Sequence, residues 1–215
     1  MEQQSQEWFL ARLGKLTASE FKRLRTPKSR ASYARKIRDE LEKLEAIAHG
    51  QDIELGSSFS SAPTDWGNEQ EPKAFAMYEF IHDVDMQRVG FVEHPDLPFV
   101  GCSPDLLTPD GHGGVEAKCP YDEQIHLTTL TAGRMPDEHI YQVQGQIWIC
   151  DLEWVDFISF DPRRELSRKY FEHRVYRDER FIAKLEADVM AFWEFVLSDK
   201  DIEPDIVNGE IPVLF

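Results

Sequence analysis

Apolar residues recur along this chain with two periods. The helical one is clearest near the C-terminal end, where Ile182, Leu185, Val189, Phe192, Trp193 and Val196 share one face behind Asp178, a residue type suited to cap a helix. A shorter stripe, Ile140, Val143 and Ile147, predicts a helix over 137–150 with Asp137 as its N-cap. On another face of that helix His139, Gln142 and Gln146 form a polar row, which reads either as an exposed surface or as a support beside a site. Residues 32–48, rich in Leu, Lys, Arg and Glu and without Gly or Pro, predict a helix, and so do residues 64–81 with Trp66, Ala74, Phe75, Tyr78 and Phe80. Thr17-Ala18-Ser19-Glu20 matches a capping box and predicts a helix start at Ala18, after an apolar, arginine-bearing turn over 8–16.

Extended patterns over 87–93, 99–103, 154–160 and 170–176 predict strands, the first two broken by Pro95 and Pro98. Between the helical stretches, residues 49–63 carry Gly50, Gly56 and four serines and predict a mobile loop, while 121–135 reads as irregular or weakly helical. From Ser198 the chain is acidic and proline-punctuated, ending in an apolar 211–215 suited to dock on the body or on a neighbouring subunit.

Residues 101–120, GCSPDLLTPDGHGGVEAKCP, predict a β-hairpin, because a run of turn formers separates two apolar stretches. With its midpoint between Asp110 and Gly111, Asp105 stands opposite Glu116, Ser103 opposite Lys118, and Cys102 opposite Cys119. One face is then apolar, with Leu106, Val115 and Ala117; the other holds two acids, a lysine and a serine. Opposed carboxylates repel, so the pair calls for a cation. Asp105, Glu116 and the Ala117 carbonyl would suit an octahedral Mg²⁺, with Lys118 placed to orient or deprotonate a water. The same residues also fit a surface hairpin with a Glu–Lys pair. On the 64–81 helix, Glu71 shares a face with Phe75 and Tyr78 and so turns inward, whereas Glu69 reads as solvated.

Composition narrows the class. The 215 residues are 41% apolar and 30% charged, as in an ordinary globular protein, and no apolar run approaches the roughly 20 residues of a membrane helix. The first residues carry no secretory pattern, which places the chain in the cytoplasm, and three cysteines make neither a disulfide framework nor a four-thiolate cluster. A net charge of −16 disfavours phosphate binding in general, but its distribution does not. Between residues 11 and 43 eleven basic residues face four acidic ones, a local positive surface on an acidic body. With Arg12 and Ser19 close by, the helix start at Ala18 offers an anion site.

The collinear pieces WFLARLG (8–14), LTASE (16–20), WGNEQE (66–71), CSPD (102–105), VEAKCP (115–120) and QVQ (142–144) resemble the phage lambda-type exonucleases, the viral recombination nucleases of the PD-(D/E)xK superfamily. The resemblance implies an α/β fold with a restriction-endonuclease-like core, a central mixed β-sheet flanked by helices. It implies one nuclease domain over 1–215, with a basic N-terminal helical segment and an acidic tail. Catalytic Asp105, Glu116, Lys118, Glu71 and Gln142 are implied, with Mg²⁺ on Asp105, Glu116 and the Ala117 carbonyl and Mn²⁺ as its substitute. Arg12, Ser19 and Ser103 would grip a terminal 5′-phosphate. The implied activity is 5′ to 3′ degradation of linear double-stranded DNA to mononucleotides, by a homotrimer ring working with a single-strand annealing recombinase. Two positions depart from the family pattern: His139 stands where members carry a tyrosine, and Gln124 where they carry a basic residue that His126 or Arg134 would have to replace. Rival readings are an endonuclease of the same fold, indifferent to ends, and a catalytically silent DNA-binding assembly protein.

Overall fold

A computed structural model describes residues 2–53, 55 and 61–198. Its centre is a four-stranded sheet in the order β4 (Leu106–Leu107), β5 (Gly113–Lys118), β6 (Trp154–Phe160) and β7 (Tyr170–Tyr176). β5 and β6 run parallel, and the outer pairs are antiparallel. A parallel pair requires a crossover, and residues 119–153 supply one containing α4 (Glu123–Ala132) and α5 (Ile140–Ile149). Upstream, β1 (Leu16–Thr17), β3 (Val100–Cys102) and β2 (Val92–Glu93) form a second, three-stranded sheet.

Helices cover both faces of the larger sheet, which explains why β6 carries large apolar residues on both of its faces and does not alternate apolar with polar. Val155 and Phe157 of β6 turn to one side, where they join Val143 and Ile147 of α5 and the buried stripe of α6 (Glu179–Leu197). Tyr33, Ile37 and Leu41 of α2 (Pro27–Ala48) complete that core, with the Tyr33 ring stacked on Phe192 at 5.2 Å between centroids. Ile158 and Phe160 turn the other way, onto Ala74, Phe75 and Tyr78 of α3 (Ala62–His82), together with Leu106, Val115 and Ala117 of the hairpin. Each such large apolar side chain contributes roughly 1.5–3 kcal/mol on burial. α5 lies unusually close to the 3₁₀ segment Ala18–Arg25. A Cβ on Gly145 would sit 2.8 Å from the Phe21 ring, so only glycine permits the approach that seats α5 over the sheet.

Several elements match expectation closely. β6 and β7 coincide with the two strand patterns, and Asp178 caps α6 by accepting from the N–H groups of Arg180 and Phe181. The hairpin register holds at Leu106↔Val115 and Leu107↔Gly114.

Other expectations need correction. Cys102 belongs to β3 in the smaller sheet, so it does not face Cys119; its sulfur lies 3.4 Å from that of Cys150. The turn expected over 8–16 contains a true helix, α1 (Gln6–Arg12), capped by Ser5. The helix at Ala18 is 3₁₀, and Thr17 does not cap it; Glu20 pairs with Arg23 instead of closing a capping box. α2 starts earlier than the residue 32 that its composition predicts, because Thr26 caps it and Pro27 fits its first turn. Asp137 is not an N-cap: it pairs with Arg134 and opens a 3₁₀ turn, and α5 proper begins at Ile140. Residues 123–132 form the regular helix α4, stopped by Gly133 in the left-handed conformation, φ 63°. Of the expected loop over 49–63, residues 49–61 fall between α2 and α3, while 62 and 63 already belong to the first turn of α3; residues 54, 56–60 and the 211–215 segment lie outside the described residues. Among the described residues no helix is long and apolar enough to cross a membrane.

Candidate active site

The hairpin, α3 and α5 meet at the end of β5. Because side chains alternate along a strand, Val115 and Ala117 face α3 while Glu116 and Lys118 face α5. Glu116 is almost fully buried, yet its carboxylate is well supplied with donors. Gln142 Nε2 donates to Oε1 at 2.6 Å, Gln146 Nε2 donates to Oε2 at 2.5 Å, and the Lys118 ammonium donates to Oε1. The two glutamines are one helical turn apart, so a single face of α5 holds both carboxylate oxygens.

Asp105, just before β4, accepts the Ala117 N–H on Oδ2 at 2.7 Å. An extended residue points its N–H and C=O to the same edge, so the Ala117 carbonyl lies on Asp105's side, beyond the point where β4 ends. Burial raises the Asp105 carboxyl well above the usual range; Glu116 and Glu71 add to the rise and Lys118 opposes it. Glu71, from α3, is raised as well, first by burial and then by Glu116, against the pull of Lys118. The neighbouring Cys119 thiol is pushed up to about 12 by burial and by these acids. Three carboxylates thus share one ammonium, and the balance is negative.

That balance tests the residues for a metal. The donors are all oxygens, two of the acids hold their protons more tightly than free carboxyls do, and Lys118 is already engaged with Glu116. A hard divalent cation fits such a set; Glu71, Asp105, Glu116 and the Ala117 carbonyl are the residues that would hold it. A second acidic group, His82, Asp156 and Glu172, lies on the α3 face of β6–β7 and is of another kind. Asp156 takes two bonds from Arg174, at 2.8 and 2.7 Å, and one from the Tyr78 hydroxyl at 2.9 Å, and Glu172 is bonded by Tyr170 and His82. Its charges are internally satisfied, which marks it as a structural network.

Two residues before Asp105, Ser103 accepts from Arg12 Nη1 at 3.0 Å and from Trp8 Nε1 at 2.9 Å. The guanidinium also lies 4.2 Å from the Trp8 ring centroid, and burial lowers its pKa. With both lone pairs of Ser103 occupied, its hydroxyl hydrogen is directed elsewhere, as an anion site requires. Arg12, Lys15, Lys36 and Lys43 line one cavity of about 320 Å³ with Trp8 and Thr17, so the folded chain gathers part of the basic 11–43 segment at this place. Ser19 joins the group only indirectly; it is exposed, and its hydroxyl lies 3.4 Å from that of Thr17.

On the far side of Lys118, His139 stacks on Phe157 at 5.1 Å, and the two line a cavity of about 210 Å³ with Lys118 and Ser159. Burial, Lys118 and Lys22 lower the His139 pKa to about 4, so the ring is neutral at physiological pH. His126 does not replace the charge missing at Gln124. It is fully buried, bonded to Ser159 Oγ and the Arg168 carbonyl at 2.8 Å each. Arg134 does share a cavity with Gln124, although its guanidinium is paired with Asp137. The site also takes in Gln146, which the sequence shows only as part of a polar row with two readings, and Trp8, to which the sequence assigns no role. Gln146 was visible as the i+4 neighbour of Gln142, but nothing in the sequence brings Trp8 to Ser103, 95 residues away. Gln144, the second glutamine of Q-x-Q, serves the fold: it donates to the Tyr176 carbonyl and accepts the Asp178 N–H.

Residues 7–153 match the family of YqaJ-like viral recombinase domains. The structure is similar to an alkaline exonuclease, LHK-Exo, from Laribacter hongkongensis, with 33% identity over 91% of this chain and 94% of that one and a TM-score of 0.79. The same enzyme solved in complex with dAMP gives 33% identity, the same coverage and a TM-score of 0.80. A phage related exonuclease from Haemophilus somnus 129PT, 16% identical over 85% of this chain and 93% of that one, shares the fold at a TM-score of 0.56. Comparison with curated protein sequences returns no match. The mixed sheet between helices is the PD-(D/E)xK nuclease architecture. With the family matched over more than half of its length and a relative aligned almost end to end, the chain belongs to the YqaJ-like viral recombinases, as a nuclease of recombination.

Proposed function

We propose that this nuclease is a divalent-metal-dependent exonuclease that degrades one strand of linear duplex DNA from 5′ to 3′, releasing mononucleotides and leaving a 3′ single strand for annealing. The observation that carries the reading is the meeting of Glu71, Asp105, Glu116 and Lys118 at the end of β5, with the Arg12–Ser103 pair two residues from Asp105. A carboxylate cluster beside an anion grip suits hydrolysis of a phosphodiester near a chain end: the terminal phosphate rests on Arg12 and Ser103 while the next linkage reaches the acids. Mg²⁺, when bound, supplies Lewis-acid activation of water and of the leaving oxygen. Gln142 and Gln146 hold Glu116 in one rotamer. Lys118, held as an ammonium by Glu116, Asp105 and Glu71, which raise its pKa against the effect of burial, orients a water and offsets negative charge instead of taking up the water's proton. That a relative was solved with dAMP is in keeping with mononucleotide release. A homotrimeric ring threaded by DNA, an annealing recombinase as partner and action in the host cytoplasm complete the proposal, on family resemblance.

Digestion of linear duplex labelled at either end, carrying 5′-phosphate or 5′-hydroxyl, tests it beside covalently closed duplex. Label should leave the 5′ end first, closed duplex should survive, and Lys118→Ala should lose roughly 10²–10⁴-fold in cleavage while still binding ends. Equal cleavage by Lys118→Ala, or attack on closed circles, would sink the reading. Arg12→Ala should erase the preference for 5′-phosphate; an unchanged ratio of the two substrates removes Arg12 from the grip.

A further inference from the structure

Beside the carboxylates the chain builds an aromatic rim that the hydrolytic site does not use. Tyr121 stands three residues beyond Lys118, on the turn leading into α4, and Trp66 lies near the start of α3. The next residue, Gly67, lies under Glu71, whose Oε1 would be 4.0 Å from a Cβ added there, so the same stretch of α3 carries Trp66 and the Glu71 carboxylate. The two rings meet edge to face, centroids 6.3 Å apart and planes at 81°.

A third element clamps them. Arg163, on the turn between β6 and β7, lies 4.4 Å over the Trp66 ring. Its guanidinium is held by the fully buried Asp161 through bonds of 2.8 and 3.0 Å, and it donates to the carbonyls of Tyr121 and Pro120 at 3.1 and 3.2 Å. Arg163 thus fastens the backbone of Tyr121, while half of the Tyr121 side, 52% of the residue, stays in solvent. The Trp66 indole N–H is shielded from water and finds no acceptor among the described residues.

This combination is costly for a fold and useful for a ligand. A buried donor without an acceptor is destabilising, and a rigid aromatic face left in water forgoes burial. A nucleotide removes the second of these costs, since its base offers a π face to the exposed Tyr121 ring. Arg163's charge is already matched by Asp161, so the rim presents aromatic surface where the Arg12 cavity presents cations. We propose that Trp66 and Tyr121, fixed by Arg163, form a stacking subsite for one nucleobase of the strand held at the carboxylates. The subsite rests on the nuclease reading above and adds to it a contact with the base, where Arg12 and Ser103 contact phosphate.

The test is an abasic scan in binding. Fluorescently labelled linear duplex with a frayed end, carrying an abasic residue at each of the last three positions of either strand, is titrated with the full chain in EDTA. One position should weaken binding by roughly 5- to 150-fold, the range for one base–aromatic stack. Tyr121→Ala should weaken binding of intact duplex by a similar factor, with no further loss at the abasic position and no dependence of that loss on salt; Tyr121→Phe should behave as the natural chain. Abasic penalties of the same size in Tyr121→Ala and the natural chain would overturn the subsite, and so would intact duplex bound equally by both. Cleavage in Mg²⁺ is followed in parallel. Failure to cut any linear duplex would defeat the nuclease reading by itself, because the coupling between Tyr121 and the base is measured without metal.

Discussion

Replacing Asp105 by Asn should make the metal-free protein more stable while removing its response to metal. In the fold the Asp105 carboxyl is half-buried, accepts one hydrogen bond, from Ala117 N–H at 2.7 Å, and faces Glu116 and Glu71, whose shared counter-ion Lys118 is already bonded to Glu116. Asn keeps an oxygen for the Ala117 N–H and turns an amide N–H toward Glu116, so one buried like charge disappears without orphaning its partner. An ill-satisfied charged group of this kind costs about 1–3 kcal/mol. For a chain of this length that corresponds to a rise of roughly 2–12 °C in Tm at pH 8 in EDTA. The sign follows from linkage. Burial first, then Glu116 and Glu71, raise the folded pKa of Asp105 above its unfolded value, so the folded chain holds this proton more tightly. The cost is therefore absent below the unfolded pKa, grows as the pH rises through the window between the two values, and is constant above it. The gap between Asp105→Asn and the natural chain should accordingly close on acidification. Added Mg²⁺ should stabilise the natural chain by about 2.7 kcal/mol at a hundredfold excess over Kd and leave the variant unmoved, so the gap in Tm closes or inverts. Thermal melts followed by circular dichroism, from pH 5 to 8 with and without Mg²⁺, measure all of this. An Asn variant that melts below the natural chain at pH 8 without metal would refute the reasoning, and so would a gap insensitive to pH.

The two neighbouring glutamines should separate site from scaffold. Gln146→Leu removes a donor from Glu116 and should weaken apparent Mg²⁺ affinity about 10–100-fold, read as a right-shifted metal dependence of cleavage. Gln144→Leu breaks the link to Tyr176 and Asp178 and should cost about 1–3 kcal/mol in chemical denaturation with an unshifted metal dependence. His139, neutral in the fold with a pKa lowered from 6.5 to about 4 by burial and by Lys118 and Lys22, contributes stability that is present above pH 6.5 and is lost as the pH falls toward 4. That loss is about 3 kcal/mol, and urea denaturation at pH 7 and pH 4.5 should find it largely absent in His139→Gln.

How far the site could be read in advance depended on how local its contacts are. Asp105 and Glu116 lie 11 residues apart across one hairpin, and the turn formers between them pin the register, so their opposition was visible. Glu71 was readable as inward-facing from its helical neighbours, though not which charges it would meet. The polar row of α5 was visible as a row, but its target was not: whether Gln142 and Gln146 faced water or a carboxylate depended on how α5 crosses β5, and Gly145 decides that by its close approach to Phe21. Cys102 was misassigned for a related reason. The chain leaves one sheet after residue 102 and enters another at 106, and period-two alternation continues through that break without marking it.

By itself, the sequence determined the helices and strands with strong periodicity, the hairpin that opposes two acids, the buried stripe of α6 and the uneven placement of charge. These follow from neighbours within a turn of helix or across one tight hairpin, where covalent geometry limits the choices. Only the tertiary structure decided which side chains complete the site: Trp8 on Ser103 from 95 residues away, Gln146 beside Gln142 on Glu116, and Arg163 clamping Tyr121 and Trp66 together. Those contacts arise when two helical layers close on the sheet, and the hydrophobic burial that drives the closure is non-directional. It brings distant polar groups together without leaving a spacing that the sequence could display.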